Sequence, residues 1–428
     1  MYILGINAFH PDASACLTRD GVLLAAVEEE RLSRIKHHVG FPAASIRYCL
    51  SVAGISLFDV DYIAVSRNPF ANPLPKFVCF VRNLNNRQFL YSRLRAMGHV
   101  QGLRHLFMQE FASEARYVRA RVCTIEHHQA HLASGFFVSP FQDAAIVSLD
   151  GFGDCVSGMV AHGKGNTMRI IDRVTYPHSM GLMYTAVSQF LGFREFGDES
   201  KVMSLAAYGK PVFAAQLRKM LLLKPKGRYA LDLKFFKLCD YDIASMCREG
   251  KPFVPVFYSE LFIKEFGLAR GASEPITQFH CDLASSLQQV YEETLFHVLS
   301  HAHRACRTDH LCLVGGCAQN SVANGLITQA TAFKHIFIQP AASDAGGALG
   351  AAYYVYCQML GRQRSFVMSN AYWGPQFNNH EIEEMLVKNK IVFKKFECDT
   401  LLDFVAKRLA HGAIVGWFQG RSEWGPRS

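Results

Sequence analysis

Two histidines four residues apart, His127 and His131, are the side chains whose types and spacing point most directly to chemistry in this 428-residue chain. They lie in a run of helical character, residues 125 to 134, and residues i and i+4 of a helix share one face. Two imidazoles on one face can bind one metal ion, but a metal needs at least one further ligand and an open position for substrate. His128 lies about 100° round the helix from His127, so its side chain is expected to point elsewhere.

The best candidate for the missing ligand is Asp344, which lies between a predicted strand and a predicted helix. Aspartate at that position often caps the helix N-terminus, and capping is the alternative role. Gly346 and Gly347 follow, and residues without a side chain would let the helix approach a ligand closely. The sequence therefore offers two histidines and a carboxylate for one metal.

Two more glycine-containing turns follow predicted strands and are candidate anion-binding sites. Glycines in the turn at 150 to 153 permit positive φ and let backbone N–H groups approach a phosphate, although Asp-Gly also favours a plain hairpin. The turn at 315 to 320 precedes a helix, so it suits a nucleotide at a helix N-terminus or is only a strand-to-helix turn. The candidate nucleotide-binding residues in these turns are Asp150, Gly151, Gly153, Gly315, Gly316 and Asn320.

The first hairpin and the charged run after it contain candidate acid–base residues. His10, Asp12 and Ser14 occur in one turn, where they could transfer protons or simply form the turn. Residues 28 to 38 are rich in Glu, Arg, Lys and His, and a solvated loop is the ordinary interpretation of such a run. We take His10, Asp12 and Lys36 as the candidate catalytic residues.

The elements that must position these side chains show one order twice. Strands are predicted at 2–8, 13–17, 22–27 and 62–66, with a helix at 42–52. The second set comprises strands at 144–149, 157–161, 168–174, 311–314 and 335–338, and helices at 181–191, 201–208, 278–304, 319–327 and 345–360. There is no sequence repeat, but the duplicated order predicts two related α/β lobes, of about residues 1–140 and 141–362, with ligands in the cleft between them.

Two regions do not fit this order. Residues 209 to 277 are irregular and are interpreted as an insertion or peripheral elaboration. After residue 362 the sequence pattern changes: it predicts a polar helix at 379–388 and then a strand, a helix and a strand up to Phe418. We expect residues 363–428 to belong to a separate domain.

Composition excludes several classes of protein. The chain is 50% hydrophobic and 19% charged, with a net charge of +9 from scattered Lys and Arg. An arginine-rich stretch at 82–121 is a solvated helical face or an anion surface, and without interleaved aromatic residues it does not predict nucleic-acid binding. Thirteen dispersed cysteines without a CxxC pair, among them Cys16, Cys79, Cys312 and Cys317, predict buried thiols in a reducing compartment. No apolar run is long enough to span a bilayer, so we expect a cytoplasmic protein that binds no membrane.

Taken together, these stretches resemble the carbamoyltransferase family that includes the nodulation and antibiotic O-carbamoyltransferases. The similarity spans essentially the whole chain. It is carried by residues 10–14, 28–37, 40–42, 127–131, 150–153, 197–203, 207–209, 315–320 and 344–347, and by Gly-Arg-Ser-Glu-Trp-Gly-Pro-Arg at 420–427. The last of these resembles the family's Gly-Arg-x-Glu-aromatic-Gly-Pro-Arg signature.

The resemblance implies a two-lobed α/β fold of the actin, sugar-kinase and heat-shock ATPase type (ASKHA), closest to the universal tRNA threonylcarbamoyl-transfer protein. It implies that His127, His131 and Asp344 bind an iron-type divalent metal, with Fe²⁺ as the expected ion, and that the glycine turns bind ATP, with Mg²⁺ as a further candidate ion. In the family a second, YrdC-like α+β domain joins carbamoyl phosphate and ATP into carbamoyl-adenylate, and Arg421 and Arg427 would bind phosphate. The first domain then moves the carbamoyl group to a hydroxyl of a small molecule such as a sugar or an antibiotic.

The chain departs from the family pattern in two places. The signature at 420–427 normally continues for well over a hundred residues, so we expect residues 363–428 to be an incomplete YrdC-like domain that cannot form carbamoyl-adenylate alone, with a separate chain as one source of the missing half. Pro11 stands between His10 and Asp12, where many members place His and Asp side by side. Two alternative functions stay open: a remnant that binds only nucleotide and metal, and a sugar-kinase-type phosphotransferase, against which the histidine pair argues.

Overall fold

The computed structural model describes residues 1–82, 106–111, 119–238, 247, 248 and 250–427. Most of the arginine-rich stretch and the side chain of Cys79 lie outside these residues. Cys16 and Cys312 are buried free thiols, and Cys317 is a partly buried one. Among the described residues, no helix combines the length and the apolar character needed to cross a bilayer.

The first lobe is built on a five-stranded sheet in the order β3-β2-β1-β4-β5. Strands β1, β2 and β3 form an antiparallel meander, and β4 and β5 continue the sheet in parallel with β1. The strands are β1 (Tyr2–Asn7), β2 (Ser14–Arg19), β3 (Val22–Glu28), β4 (Tyr62–Val65) and β5 (Arg121–Thr124), and the helices are α1 (Glu29–Ser33), α2 (Ala43–Ala53), α3 (Pro73–Arg82) and α4 (His127–Phe136).

The second lobe repeats this topology. Its sheet has the order β14-β13-β6-β7-β8, with an antiparallel meander of β6, β7 and β8 and two parallel strands. The strands are β6 (Asp143–Gly153), β7 (Val156–Lys164), β8 (Thr167–Thr175), β13 (His310–Val314) and β14 (His335–Phe337). The same order in both sheets confirms the predicted two-lobed fold of the actin and sugar-kinase type.

The remaining helices and short strands lie mostly on the second lobe. The helices are α5 (Met180–Phe190), α6 (Glu199–Leu205), α7 (Ala214–Met220), α8 (Glu260–Phe266), α9 (Gln278–Cys306), α10 (Ser321–Ala330), α11 (Gly346–Tyr353), α12 (Asn379–Lys388) and α13 (Cys398–Ala410). The short strands are β9 (Leu221–Lys224) and β10 (Arg228–Leu231), which pair, and β11 (Cys247–Arg248) and β12 (Lys251–Pro252), which also pair.

Helices α4 and α11 cross between the two sheets and join the lobes. Helix α11 packs on β1, β2 and β4 and against α4, while α4 packs on β6 and β13. The crossing is close at Gly350, where a Cβ would lie 1.7 Å from the carbonyl oxygen of Ala130, so only glycine fits there. This contact brings the histidines of α4 near the turn that precedes α11.

Two predictions about the elements are wrong, and for a third the structure excludes one of two alternatives. The helix expected at 345–360 is α-helical only to Tyr353 and then π-helical over Tyr354–Met359. The strands expected on either side of α13 are absent from the described residues, because no neighbouring strand lies alongside to pair with them; Val392 and Ile414 are fully exposed. The insertion at 209–277 is not peripheral throughout, because Pro252, Phe253, Val254 and Phe257 reach the central cavity.

Candidate metal centre and the cavity beside it

Four side chains meet between the lobes: His127, His131, Asp150 and Asp344. Their candidate ligand atoms all lie within 4.8 Å of one another. The Nε2 atoms of the two histidines are 3.1 Å apart, and Asp344 Oδ1 is 3.4 Å from each of them. Asp150 Oδ2 lies 3.2 Å from His127 Nε2 and 3.7 Å from His131 Nε2. The structure therefore brings the three predicted metal ligands together and adds Asp150 as a fourth.

The spacing of this group suits a small divalent cation. Metal–ligand bonds of about 2.1 Å at tetrahedral angles place neighbouring donor atoms about 3.4 Å apart, close to the spacing found here. Asp344 Oδ1 is buried and has no hydrogen-bond partner among the described residues, as expected of an atom reserved for an ion. Two carboxylates and two neutral imidazoles would also balance a charge of +2.

The four side chains shift one another's pKa values. Burial alone would lower the pKa of His131, but the neighbouring carboxylates of Asp150 and Asp344 outweigh burial and raise that pKa to about 9. Burial would likewise raise the pKa of Asp150, but the hydrogen bond from His127 and the nearby His131 imidazole hold it well below its ordinary value.

His128 points away from this group, as predicted. Its Nδ1 lies 2.8 Å from Ser148 Oγ, and its Nε2 lies 2.9 Å from the carbonyl oxygen of Val156. A carbonyl only accepts hydrogen bonds, so Nε2 carries the proton and Nδ1 accepts from the serine hydroxyl. Complete burial lowers the pKa of His128 to about 3, and the imidazole stays neutral.

The candidate catalytic residues lie in two different places. His10 Nδ1 is 3.0 Å from Asp344 Oδ2, and Asp12 Oδ1 is 2.7 Å from Nδ1 of His37. His10, Asp12 and His37 line the same cavity. Lys36 is exposed and is not part of the described cavity wall, because the chain turns at His37 and directs the neighbouring side chain to solvent.

A cavity of about 520 Å³ opens directly beside the His/Asp group. Both lobes contribute to its wall, which is polar near Asp344 and Asp150 and mainly apolar elsewhere. Its apolar wall residues include Phe9, Val39, Phe152, Leu182, Tyr184, Phe196, Met203, Phe253, Val254 and Phe257. The space is large enough for a small molecule, and part of a ligand would lie against the candidate metal ligands.

The predicted nucleotide-binding residues fall into two groups. Gly151, Gly153, Gly316 and Asn320 line the cavity together with Asp150. Three other glycines, Gly315, Gly346 and Gly347, are packed against protein and are not on the described cavity wall. An added Cβ would lie 2.1 Å from the Leu149 carbonyl oxygen at Gly315 and 2.1 Å from the Ala341 carbonyl oxygen at Gly346. At Gly347 it would lie 2.9 Å from Ser66 Cβ. Nucleotide binding by these residues stays a prediction.

The two arginines of the 420–427 segment also separate. The guanidinium group of Arg421 donates to the carbonyl oxygens of Leu24, Trp373 and Gly374 and to the Tyr48 hydroxyl, so it fastens this segment to the first lobe rather than lining the cavity. Arg427 does line the cavity. Next to it, Gly425 N–H donates to Glu28 Oε1 at 2.6 Å.

Sequence reasoning missed Asp150 as a candidate ligand and His37 as a cavity residue. Asp150 had been assigned to a phosphate-binding turn, yet its Oδ1 accepts from the backbone N–H of Gly316 at 2.9 Å and its Oδ2 faces the histidines. One signal was available: Asp150 comes directly after the buried apolar run of β6, residues 144–149, near the end of that strand. His37 was missed because it lies in the charged run at residues 28 to 38, which was interpreted as a solvated loop.

Comparisons with known proteins agree with these observations. The profile of the family described as "Carbamoyltransferase N-terminus" matches residues 2–353. An uncharacterised protein of Synechocystis sp. is 36% identical over 100% of this chain and 69% of its own length. The nodulation protein NolNO of Sinorhizobium fredii is 35% identical over 99% of this chain and 58% of its own length. The chain therefore spans between half and about two thirds of these relatives.

Among solved structures, component A of the (R)-2-hydroxyglutaryl-CoA dehydratase of Acidaminococcus fermentans is 14% identical, with a TM-score of 0.42 over 83% of this chain and 97% of that protein. HypF of T. kodakarensis is also 14% identical, with a TM-score of 0.41 over 84% of this chain and 48% of that protein.

Proposed function

The chain belongs to the carbamoyltransferase family, and from that membership we propose that it transfers a carbamoyl group from carbamoyl-adenylate, itself made from carbamoyl phosphate and ATP, to a hydroxyl of a small molecule. The observation that carries this proposal is the group His127, His131, Asp150 and Asp344, three of which (His127, Asp150 and Asp344) lie on the wall of a cavity of about 520 Å³. Such a group is suited to a reaction in which negative charge develops on a carbonyl oxygen.

The four residues would bind one divalent transition metal, with Fe²⁺ as the proposed ion. When bound, the metal supplies Lewis acidity that polarises a carbonyl oxygen. Two neighbours fix the carboxylates: His10 Nδ1–H donates to Asp344 Oδ2, which leaves Oδ1 free, and Gly316 N–H donates to Asp150 Oδ1, which leaves Oδ2 free. Hydrogen bonds of this kind orient ligands and are a regular feature of metal sites in proteins.

The nucleotide part of the donor would lie against the turns of the second lobe. Gly151, Gly153 and Gly316 line the cavity beside Asp150. At Gly151 an added Cβ would meet only Leu182, at 3.8 Å, so a phosphate could approach the backbone there. Asn320 lies at the start of α10, where the helix dipole favours an anion. Arg427 supplies a forked cation to the same cavity.

The proposal is tested by supplying carbamoyl-adenylate to the protein. A full-length relative whose own metal-binding histidines are replaced can generate it from ATP and carbamoyl phosphate, and mass spectrometry then detects the carbamate of an added alcohol. We expect product with protein loaded with Fe²⁺ and a loss of at least about 100-fold in His127→Asn and His131→Asn. Gln129→Ala is the matched control, because Gln129 lies on the same helix and its side chain is outside the group. Wild-type product in both histidine variants, or none with the loaded wild-type protein, would contradict the proposal.

A further inference from the structure

A polar edge leads from the His/Asp group to one end of the cavity. Ser343, next to Asp344, donates its hydroxyl to Asp12 Oδ2 at 3.3 Å, and Asp12 Oδ1 lies 2.7 Å from His37 Nδ1. The backbone N–H of His37 donates to Glu30 Oε2 at 2.6 Å, which holds the backbone of His37 in place. Because a carboxylate accepts and does not donate, Nδ1 carries the proton of the neutral imidazole, and Nε2 presents its lone pair.

The Nε2 atom of His37 is buried and has no hydrogen-bond partner among the described residues. The backbone of Gly197 faces it, and a Cβ added there would lie 2.7 Å from Nε2. The ring of Phe196 meets the imidazole edge-on, with 5.0 Å between ring centroids. The second lobe thus encloses this imidazole with a glycine and an aromatic ring, and its described residues offer Nε2 no hydrogen-bond partner.

An apolar segment of the insertion closes the same end of the cavity. We call residues 250–257 the strap. The carbonyl oxygen of Gly250 accepts from Val39 N–H at 2.9 Å, which ties the strap to the first-lobe loop that follows His37. At its other end, the buried side chain of Gln189 donates to Pro255 O at 2.8 Å and accepts from Phe257 N–H at 2.9 Å. Both ends of the strap are therefore fixed, and Pro252, Phe253, Val254 and Phe257 form an apolar wall.

We propose that this end of the cavity, bounded by His37, Phe196, Gly197 and the strap, is the acceptor subsite. The subsite takes an alcohol whose hydroxyl is carried on an apolar or aromatic frame. His37 is the base that accepts the proton of the acceptor hydroxyl. The inference deepens the proposed function and rests on it. The apolar wall buries the frame, and the polar edge from Asp12 to Asp344 directs the single hydroxyl toward the carbamoyl group. A sugar would leave most of its hydroxyls without partners on this wall, which is costly.

The transfer step balances with the groups named. The hydroxyl oxygen of the acceptor forms a bond to the carbamoyl carbon, and the hydroxyl proton passes to His37 Nε2. The bond between the carbamoyl carbon and the phosphate oxygen of the adenylate breaks, and AMP leaves with the electron pair. The positive charge that develops on His37 is stabilised by Asp12, which already accepts from Nδ1.

The competing occupant of the apolar wall is the adenine ring of the donor. The glycine turns and Asn320, which suit the nucleotide, lie beside Asp150, whereas the strap is tied through Gly250 to Val39, in the loop that follows His37. We therefore assign the wall at the strap to the acceptor, and displacement by AMP decides between the two occupants.

The binding test uses naphthalenemethanol, a fluorescent aromatic alcohol, with sorbitol as the polar comparison. We expect naphthalenemethanol to bind at least about tenfold more tightly than sorbitol and to stay bound when AMP is added. Val254→Ser should weaken its binding about tenfold, because Val254 lines the cavity. Val256→Ser is the matched control: Val256 is two residues away on the strap but exposed and off the described wall. Displacement by AMP, equal binding of sorbitol, or equal effects of the two substitutions would overturn the subsite.

The second arm measures carbamoyl transfer to naphthalenemethanol with supplied carbamoyl-adenylate. His37→Asn should lower transfer at least about 100-fold with the dissociation constant of the alcohol changed less than about threefold. His38→Asn is the control, because His38 lies off the described cavity wall and its Nδ1 contacts Ser33. Wild-type transfer by His37→Asn would refute the base. If no alcohol of any kind is carbamoylated, the proposed function fails, whereas transfer to sorbitol in preference to naphthalenemethanol refutes only the subsite.

Discussion

Replacing Asp150 by asparagine tests the candidate ligand that sequence reasoning did not find. The amide has nearly the same size and shape, and its oxygen can keep the hydrogen bond from Gly316 N–H, now 2.9 Å long at Oδ1. The NH₂ group then takes the position of Oδ2, which lies 3.2 Å from His127 Nε2 and 3.7 Å from His131 Nε2. Asp150→Asn therefore removes one negative charge and points donor hydrogens at the place where a cation would lie.

The size of the effect follows from the position of the carboxylate. Loss of a partner that only orients a ligand weakens metal binding by about 10–100-fold. Loss of a charged ligand should cost at least the upper end of that range, about 2.7 kcal/mol for a factor of 100. At a free metal concentration of 100 times the wild-type Kd, metal stabilises the wild-type protein by about 2.7 kcal/mol, whereas a variant with 100-fold weaker binding gains only about 0.4 kcal/mol.

The assay is an anaerobic titration of metal-free protein with Fe²⁺ or Mn²⁺ in competition with a chelator, together with thermal unfolding with and without metal. Asp143→Asn is the matched control: Asp143 begins the same strand, β6, and its Oδ1 lies 3.0 Å from a histidine, His162, but the pair is at the surface. We expect Asp143→Asn to keep the wild-type Kd. Equal Kd values for Asp150→Asn and the wild type would refute Asp150 as a ligand and reduce the group to the three predicted residues.

Three further predictions concern the same region and the segment fastened beside it. His128→Asn should retain metal within about threefold but destabilise the fold by about 1–3 kcal/mol, because its two buried hydrogen bonds are lost; metal analysis and denaturant unfolding measure both. Gly153→Ala should abolish metal binding, since its Cβ would lie 2.1 Å from the His127 ring; tight binding in that variant would show that the ring does not stay in place. Burial raises the pKa of Glu28 from its ordinary value of 4.5 to about 7. Between these pH values the folded state keeps a proton that the unfolded state loses. The free energy of unfolding should therefore fall by about 1–3 kcal/mol as pH rises from 4.5 to 7. Glu28→Gln should flatten that decline, and an unchanged pH dependence would contradict the assignment.

The sequence predicts the strands and helices of both lobes well, because their patterns are local. In the meander β1 to β3, the turn at Asp20 and Gly21 separates β2 from β3. The long amphipathic helix α9 begins at a capping box formed by Thr277 and His280. The strands expected around α13 were wrong, since a strand is stable only beside a neighbour and local sequence does not show whether one exists.

The candidate site was predictable only in part, since its geometry depends on contacts between distant residues. The pair His127 and His131 is a local signal, and the helix fixes it. Asp150 was assigned to a phosphate turn because its sequence neighbours are glycines, whereas its side chain meets residues 23 and 166 positions away. The strap and His37 gave no local signal, because irregular and charged segments look alike whether they are solvated or packed against a cavity.

The duplicated fold explains why these particular segments meet. In each lobe the last strand leads into a helix that crosses to the other lobe: β5 into α4, which carries His127 and His131, and β14 into the turn of Asp344 and α11. In each lobe the first hairpin also reaches the cleft: Asp150 lies in the irregular end of β6, where the pairing with β7 shifts between Leu149 and Gly153, and the His10–Asp12 turn follows β1. The second lobe's hairpin supplies a candidate ligand, and the first lobe's hairpin supplies His10, which orients Asp344, and Asp12, which orients His37. One topology used twice thus brings the candidate metal ligands and the His37–Asp12 pair to the same cavity.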